Sequence, residues 1–211
     1  YYANFLARGE GLAALALASA DADAAYAELV ADGIDADAPL DFSRPVRLVE
    51  GEHDAAFRIV QLPPAQTPGC RSFVCQHLTR DLVWRPEYQT HALGATGLAA
   101  LAVVVEDPPS SAGDYARLFD AHPQKIDEGL LVRAGSTAIA VGSRRRIQRR
   151  LLGVELPPRA GPLVAAPFIR VADRARAARA LRHAGFEPAA LPDGSFAVGA
   201  DRAHGVTLVF G

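Results

Sequence analysis

The chain has 211 residues, half of them hydrophobic, enough to bury a sizeable core as one large or two small domains. Lys and Arg (22) nearly balance Asp and Glu (24), and a net charge of −2 lacks the electrostatic footprint of a nucleic-acid binder. No apolar run reaches the ~20 residues of a membrane span and no signal peptide is visible, so neither nucleic acid nor membrane is expected as a partner.

Taken in order, "YYANFL" (1–6) reads as the last strand of a repeat unit that begins earlier than the sequence. "GLAALALASADADAAYAELVADGI" (11–34) predicts an apolar strand and then a helix. Ser19 or Asp21 caps that helix, Tyr26, Leu29 and Val30 form its core face, and Gly33 stops it. Three strands follow at "RPVRLVE" (44–50), "AAFRIVQL" (55–62) and "RSFVCQHL" (71–78), which makes a βαβββ unit over 11–78. Cys70 and Cys75 lie five residues apart. A bridge between them needs a sharp reversal, so reduced thiols and a cytoplasmic setting are expected.

The hexapeptide "GLAALA" (11–16) recurs unchanged at 97–102. "ADADAAYAELVADGI" (20–34) aligns without gaps on "ADRARAARALRHAGF" (172–186), with Asp21 on Asp173, Leu29 on Leu181 and Gly33 on Gly185. Together these matches predict a strand–helix unit used three times, near 12–34, 98–121 and 164–186. Further strands are expected at 129–135, 136–142, 194–200 and 205–211. The basic run "SRRRIQRR" (143–150) has the pattern of a nucleic-acid or membrane patch, but with Ile147 and Leu151 as apolar anchors it reads as the solvated face of a short helix.

Scarce chemical groups gather in "FVCQHLTRDLVWRPEYQTH" (73–91), which holds the only Trp and one of the two Cys. On a strand over 71–78, Phe73, Cys75 and His77 share one face. His77 can be a metal ligand, a general base or a satisfied core histidine. Residues 79–91 read as a loop or short helical turn that Thr79 or Asp81 caps and Pro86 limits. Trp84 is either a core plug or a pocket wall, with Arg85 able to bind a carboxylate. Glu87 and His91 share a face if the turn continues helically, as a ligand pair, an acid/base pair or a surface hydrogen bond. In "DFSRPVR" (41–47), Arg44 serves a turn or anchors a substrate. Arg58, between Phe57 and Ile59, is placed on the same face as an anion-binding group. HxH, HExxH, CxxC, GxSxG, P-loop and GxGxxG patterns do not occur.

The repeated βαβββ pattern, together with "FLARGEGLAALALASADADA" (5–24), "DFSRPVR" (41–47), "FRIVQLP" (57–63) and "FVCQHLTRDLVWRPEYQTHALGA" (73–95), resembles the glyoxalase-like branch of the vicinal-oxygen-chelate (glyoxalase/bleomycin resistance/dioxygenase) superfamily. Where that family typically reads His-Pro-Asn-Gly-Ala, this chain has "HALGA" (91–95), with Leu93 in place of Asn. The resemblance implies an α+β fold in which repeated βαβββ units form cup-shaped mixed β-sheets with flanking helices. It implies one glyoxalase-like region over 1–95 and a second over 96–211. It also implies a divalent metal (Zn, Fe, Mn or Ni) with His77 as a ligand, although the first strand "LAALALA" (12–18) offers none.

On this reading the protein is a bacterial metal-dependent lyase, isomerase or ring-cleaving dioxygenase acting on a small carbonyl or hydroxylated substrate. Glu87 and His91 would be catalytic, and Phe73, Cys75, Trp84, Arg85, Arg44 and Arg58 would line the substrate site. The alternative is a metal-free protein that binds or sequesters a small molecule on the same fold. Edge strands of such cups can pair between subunits, which makes a homodimer an expected assembly.

Overall fold

The computed structural model describes residues 1–152 and 154–211. They fall into two compact units. The small unit comprises 14–67 and 71–90, and the large unit 1–13, 68–70 and 91–211.

After an N-terminal helix, α1 (Tyr2–Leu6), the small unit forms one βαβββ repeat: β1 (Ala14–Ala18), α2 (Ala22–Ala31), β2 (Leu40–Leu48), β3 (Gly51–Gln61) and β4 (Arg71–His77). Its sheet has the order β1-β4-β3-β2, with β1 parallel to β4 and the other neighbours antiparallel. Two single 3-10 turns follow, at Arg80–Leu82 and Pro86–Tyr88.

The large unit opens with α1 (Tyr2–Leu6) and then runs through two more repeats. The first holds β5 (Ala95–Val104), α3 (Pro108–Leu118), β6 (Gln124–Ile126), β7 (Gly129–Ala134) and β8 (Thr137–Gly142). After α4 (Arg144–Arg150), the second holds β9 (Leu163–Val171), α5 (Arg174–His183), β10 (Ala189–Ala190), β11 (Phe196–Val198) and β12 (Leu208–Phe210). Their strands form one sheet of order β10-β11-β12-β9-β5-β8-β7-β6, and the two repeats join where β5 and β9 lie antiparallel.

The three repeats match in detail. Each helix is capped by an aspartate: Asp21 accepts from the N–H groups of Asp23 and Ala24, Asp107 from Ser110, and Asp173 from Arg176. Each first strand closes on its fourth through one equivalent bond: Ser19 N–H to Cys75 O, Val105 N–H to Gly142 O, and Val171 N–H to Gly211 O, at 3.0–3.1 Å. Each helix ends on a residue with positive φ. Gly33 (73°) and Gly185 (82°) take this conformation without a Cβ penalty, whereas the middle repeat uses Asp120 (44°).

The large unit buries apolar side chains on both sheet faces. On one, Ala102, Val104, Ala166, Ala197 and Val209 cluster with Ile147 of α4, with Leu151 that caps its C-terminus and with Val154 and Leu156 beyond it. Leu151 is fully buried, so the basic run is a short helix whose apolar anchors reach the core while Arg145 and Arg146 stay outside. A cavity of about 150 Å³ remains there, between α4 and β5, β8 and β9. Elsewhere Ala177 and Leu181 of α5 pack on Phe196, Val198 and Phe210.

Two expectations are corrected. "YYANFL" is helical, because a helix lets Phe5 bury (5% exposed) beneath the Arg159 guanidinium, 3.7 Å from its ring centre. On α2, Leu29 is buried but Val30 is half exposed, since only one narrow stripe of this alanine-rich helix meets the sheet. Among the described residues no helix is long and apolar enough to cross a membrane.

Candidate functional site

Strand register in the small unit builds a row of rings. Phe42 of β2 stands opposite Phe57 of β3, and Phe57 stands opposite His77 of β4. Phe42 and Phe57 stack at 5.1 Å and 19°, and His77 meets Phe57 edge-on at 5.0 Å and 71°. Trp84, from the loop after β4, completes the row edge-on to His77 at 6.0 Å and 64°.

That loop is positioned by Thr79. Its Oγ1 accepts the Ala56 N–H at 2.8 Å, and the Ala56 carbonyl accepts the N–H of Leu78 at 2.9 Å. Thr79 therefore ties the chain back onto β3 instead of capping the turn, and Trp84 N–H closes on the Arg80 carbonyl. Gln89 donates to the Trp84 carbonyl at 3.1 Å.

Beneath the rings, Phe73 and Cys75 cluster with Ala55, Phe57, Ile59, Val46 and Val83, as strand alternation predicts. The opposite face of the sheet carries α2, where Gln76 accepts the Ala22 N–H at 2.9 Å. Phe42 and Trp84 remain 41% and 47% exposed, a large aromatic area for one small sheet to show to solvent. Two exposed arginines flank it. Arg44 lies 5.8 Å from the Phe57 ring centre and Arg80 4.6 Å from that of Trp84.

Burial, helped by the nearby Arg80 cation, holds the His77 pKa below its usual value, and burial alone raises that of Cys75. At neutral pH the face thus carries a neutral imidazole and a protonated thiol. His77 Nδ1 is buried without a hydrogen-bond partner among the described residues. These surroundings do not fit a divalent ion. The imidazole lies between the Phe57 and Trp84 rings, and the charge that acts on it is the Arg80 cation. Among the described residues no three of His, Cys, Asp and Glu are grouped to hold a metal.

The remaining candidates lie elsewhere or are already engaged. Arg58 is on the α2 face, not among the rings, because β3 alternates and Asp23 and Asp41 grip its guanidinium at 2.8 and 2.7 Å. Arg85 is held by Glu50 at 2.6 Å and Glu87 at 2.5 Å. Glu87 stays ionised more readily than usual through a backbone hydrogen bond and Arg85. The helical turn ends at Tyr88, and His91 belongs to the large unit, where its Nδ1 accepts the Leu93 N–H at 3.1 Å. Leu93 packs with the α5 cluster.

Phe42, Phe57 and Arg80 were not singled out from the sequence. Placing Arg58 on the site face turned its neighbour Phe57 away from it, and the partners of Phe57 follow only from register. A second depression, of about 820 Å³ in the large unit, is rimmed by Arg159 and Glu10. Arg159 is spent on the Phe5 ring and carbonyl, and Glu10 lies 3.1 Å from His204.

Residues 3–119, more than half the chain, match a glyoxalase-like domain family. The chain belongs to that family. It is thereby a glyoxalase-like protein of the vicinal-oxygen-chelate superfamily, with the α+β fold of βαβββ units that membership implies. Similar solved structures include a hypothetical protein from Staphylococcus aureus (TM-score 0.60, 10% identity, 93% of this chain and 64% of that one). A mutant 4-hydroxymandelate synthase from Streptomyces coelicolor aligns with TM-score 0.60 and 16% identity over 99% of this chain and 73% of that one. A fusion of a xylose isomerase-like TIM barrel with a 4-hydroxyphenylpyruvate dioxygenase aligns with TM-score 0.53 and 15% identity, over 98% and 38%. The glyoxalase-like chain therefore spans less than two thirds of the first and the last of these. At such identities the likeness is one of fold. No curated protein matches the chain.

Proposed function

We propose that the small unit binds a small, planar, anionic molecule on its aromatic face, and does so without a metal. The observation that carries this reading is the Phe42–Phe57–His77–Trp84 row with Arg44 beside Phe57 and Arg80 beside Trp84. Rings at this spacing offer edges and faces to a flat apolar body, and a guanidinium supplies a forked donor for a carboxylate. Arg58 and Arg85 already hold carboxylates, so Arg44 and Arg80 are the cations on this face that a ligand can recruit.

Trp84 is the only tryptophan in the chain and reports binding directly. Titration with benzoate is expected to quench its emission, and benzyl alcohol, of the same shape without the charge, is expected to bind at least about tenfold more weakly. Phe57→Ala should abolish the response and Arg85→Ala should leave it. Equal response to both probes, or none to either, overturns the reading.

The second reading, a divalent-metal-dependent lyase, isomerase or dioxygenase, is supported by family membership. It requires metal ligands beyond those around His77. Elemental analysis of protein expressed in metal-replete medium and purified without chelator decides it: stoichiometric Zn, Fe, Mn or Ni that disappears in His77→Ala supports the enzyme.

A further inference from the structure

The helix of the last repeat, α5, packs inward as its counterpart α2 does but shows a different face to solvent. Leu181 is buried where α2 buries Leu29. The gap-free alignment of the two helices sets Arg176, Arg179 and Arg182 on Ala24, Ala27 and Val30, and all six residues are exposed. The template therefore folds without charge at these three places, and alanine is the stronger helix former.

At about 3.6 residues per turn each of these arginines lies about 60° from the next, and Arg179 stands opposite the buried Ala177 and Leu181. No carboxylate answers them. Ion pairs hold Arg47, Arg58, Arg85, Arg117 and Arg150, yet among the described residues none reaches Arg176, Arg179 or Arg182. The cap Asp173 accepts the Arg176 backbone N–H at 2.9 Å, and Arg174 donates to the Asp193 carbonyl at 3.3 Å. Like charges three apart destabilise a helix, and of the three only Arg182 lies in the last turn, where the helix dipole favours a cation. α5 thus carries an unpaired basic stripe that its own fold does not require.

We propose that the outer face of α5 docks a short acidic segment of another protein, whose carboxylates meet Arg176, Arg179 and Arg182. Each guanidinium can take a carboxylate through two parallel N–H···O bonds. The stripe extends ~9 Å along the helix axis, so carboxylates about one helical turn apart match it. Charge selects a short partner over a long polyanion. Asp173 just before the helix and Glu187 just beyond it are exposed, and the whole chain carries −2. A nucleic-acid strand or an anionic membrane extends past the stripe and is repelled by those charges, whereas a short acidic segment ends within it. Helix α4 also exposes Arg145, Arg146 and Arg149, but there the carboxylates of Glu128 and Asp193 already stand against the helix through Arg150.

The probe is a dye-labelled oligo-glutamate of 10 residues, the length of α5, titrated with the full chain and read by fluorescence anisotropy. Binding should saturate. It should weaken at least about tenfold as salt rises from about 0.01 to about 0.1 M, over which the Debye length shrinks from ~30 to ~10 Å. The combined variant Arg176→Ala, Arg179→Ala, Arg182→Ala removes three exposed ion pairs and should lose at least about tenfold in affinity, while its urea midpoint holds or rises. Arg179→Glu alone, at the centre of the stripe, should lose a similar factor. Arg145→Ala, Arg146→Ala, Arg149→Ala on α4 changes the net charge equally and should bind as the parent does. The proposal is overturned if the parent does not bind the peptide at low salt, or if the α5 variants bind as tightly as the parent. It is equally overturned if the α4 variant loses as much as the α5 variant, or if an oligothymidylate of the same length or phosphatidylserine vesicles bind more tightly than the peptide.

Discussion

His77 and Phe57 stand directly opposite one another on β4 and β3, ring edge to ring face, with centroids 5.0 Å apart. Rings, not polar groups, hold this imidazole, and burial with Arg80 keeps its pKa below the ordinary 6.5. The unfolded chain therefore takes up a proton near pH 6.5 that the folded chain refuses until lower pH. The stability tied to His77 is complete above that value and is lost as pH falls through the window beneath it. Urea unfolding measured between pH 8 and 5 should show this slope in the parent protein. In His77→Phe the slope from this residue should vanish while the fold persists.

Asp120 is the middle repeat's counterpart of Gly33 and Gly185, and it holds a φ of 44° that suits glycine better. The N–H of Ala121 still closes on Ala116 O, as Ile34 closes on Leu29 and Phe186 on Leu181, so the turn itself is the same. Asp120→Gly should raise stability by about 0.5–1 kcal/mol by relieving the Cβ contact, read as a higher urea midpoint at unchanged slope.

Tyr115 of α3 is 1% exposed, and its hydroxyl donates to the Pro68 carbonyl at 2.7 Å. Burial pushes its pKa well above the usual tyrosine value, so it stays a neutral donor at any physiological pH. Tyr115→Phe keeps the ring and strands that carbonyl. The expected cost is about 1 kcal/mol in chemical denaturation, while Tyr115→Ala, which also opens a cavity, should cost about 3–5 kcal/mol.

The repeat was legible because its marks are local. In the first and last repeats an aspartate (Asp21, Asp173), a leucine (Leu29, Leu181) and a glycine (Gly33, Gly185) recur at one spacing, which a one-dimensional alignment detects. The middle repeat, with Ala116 and Asp120 in the later two places, shows itself through "GLAALA". The alternation of Phe73, Cys75 and His77 was legible for the same reason. What the sequence did not disclose depends on distant partners. Arg58 reads as a free anion binder until Asp23 arrives from α2, and Arg85 until Glu50 arrives from the turn between β2 and β3. The row Phe42–Phe57–His77 is a consequence of strand register, which local pattern does not set. Helix α1 was misread because six mostly apolar residues fit a strand or a helix equally well, and packing of Phe5 against Arg159 decides between them.

Helix α4 has a bearing on how such a chain could be re-engineered. Ile147 and Leu151 stopper the hollow of the eight-stranded sheet, and a small void already remains beside them. Glu128 and Arg150 stand at its rim as an ion pair at 3.1 Å. Shortening the two stoppers would hand a designer a roofed chamber with a charged gate, in a part of the molecule remote in sequence from the aromatic row. One repeated template has thus left, within a single polypeptide, both an exposed aromatic row and a plugged hollow.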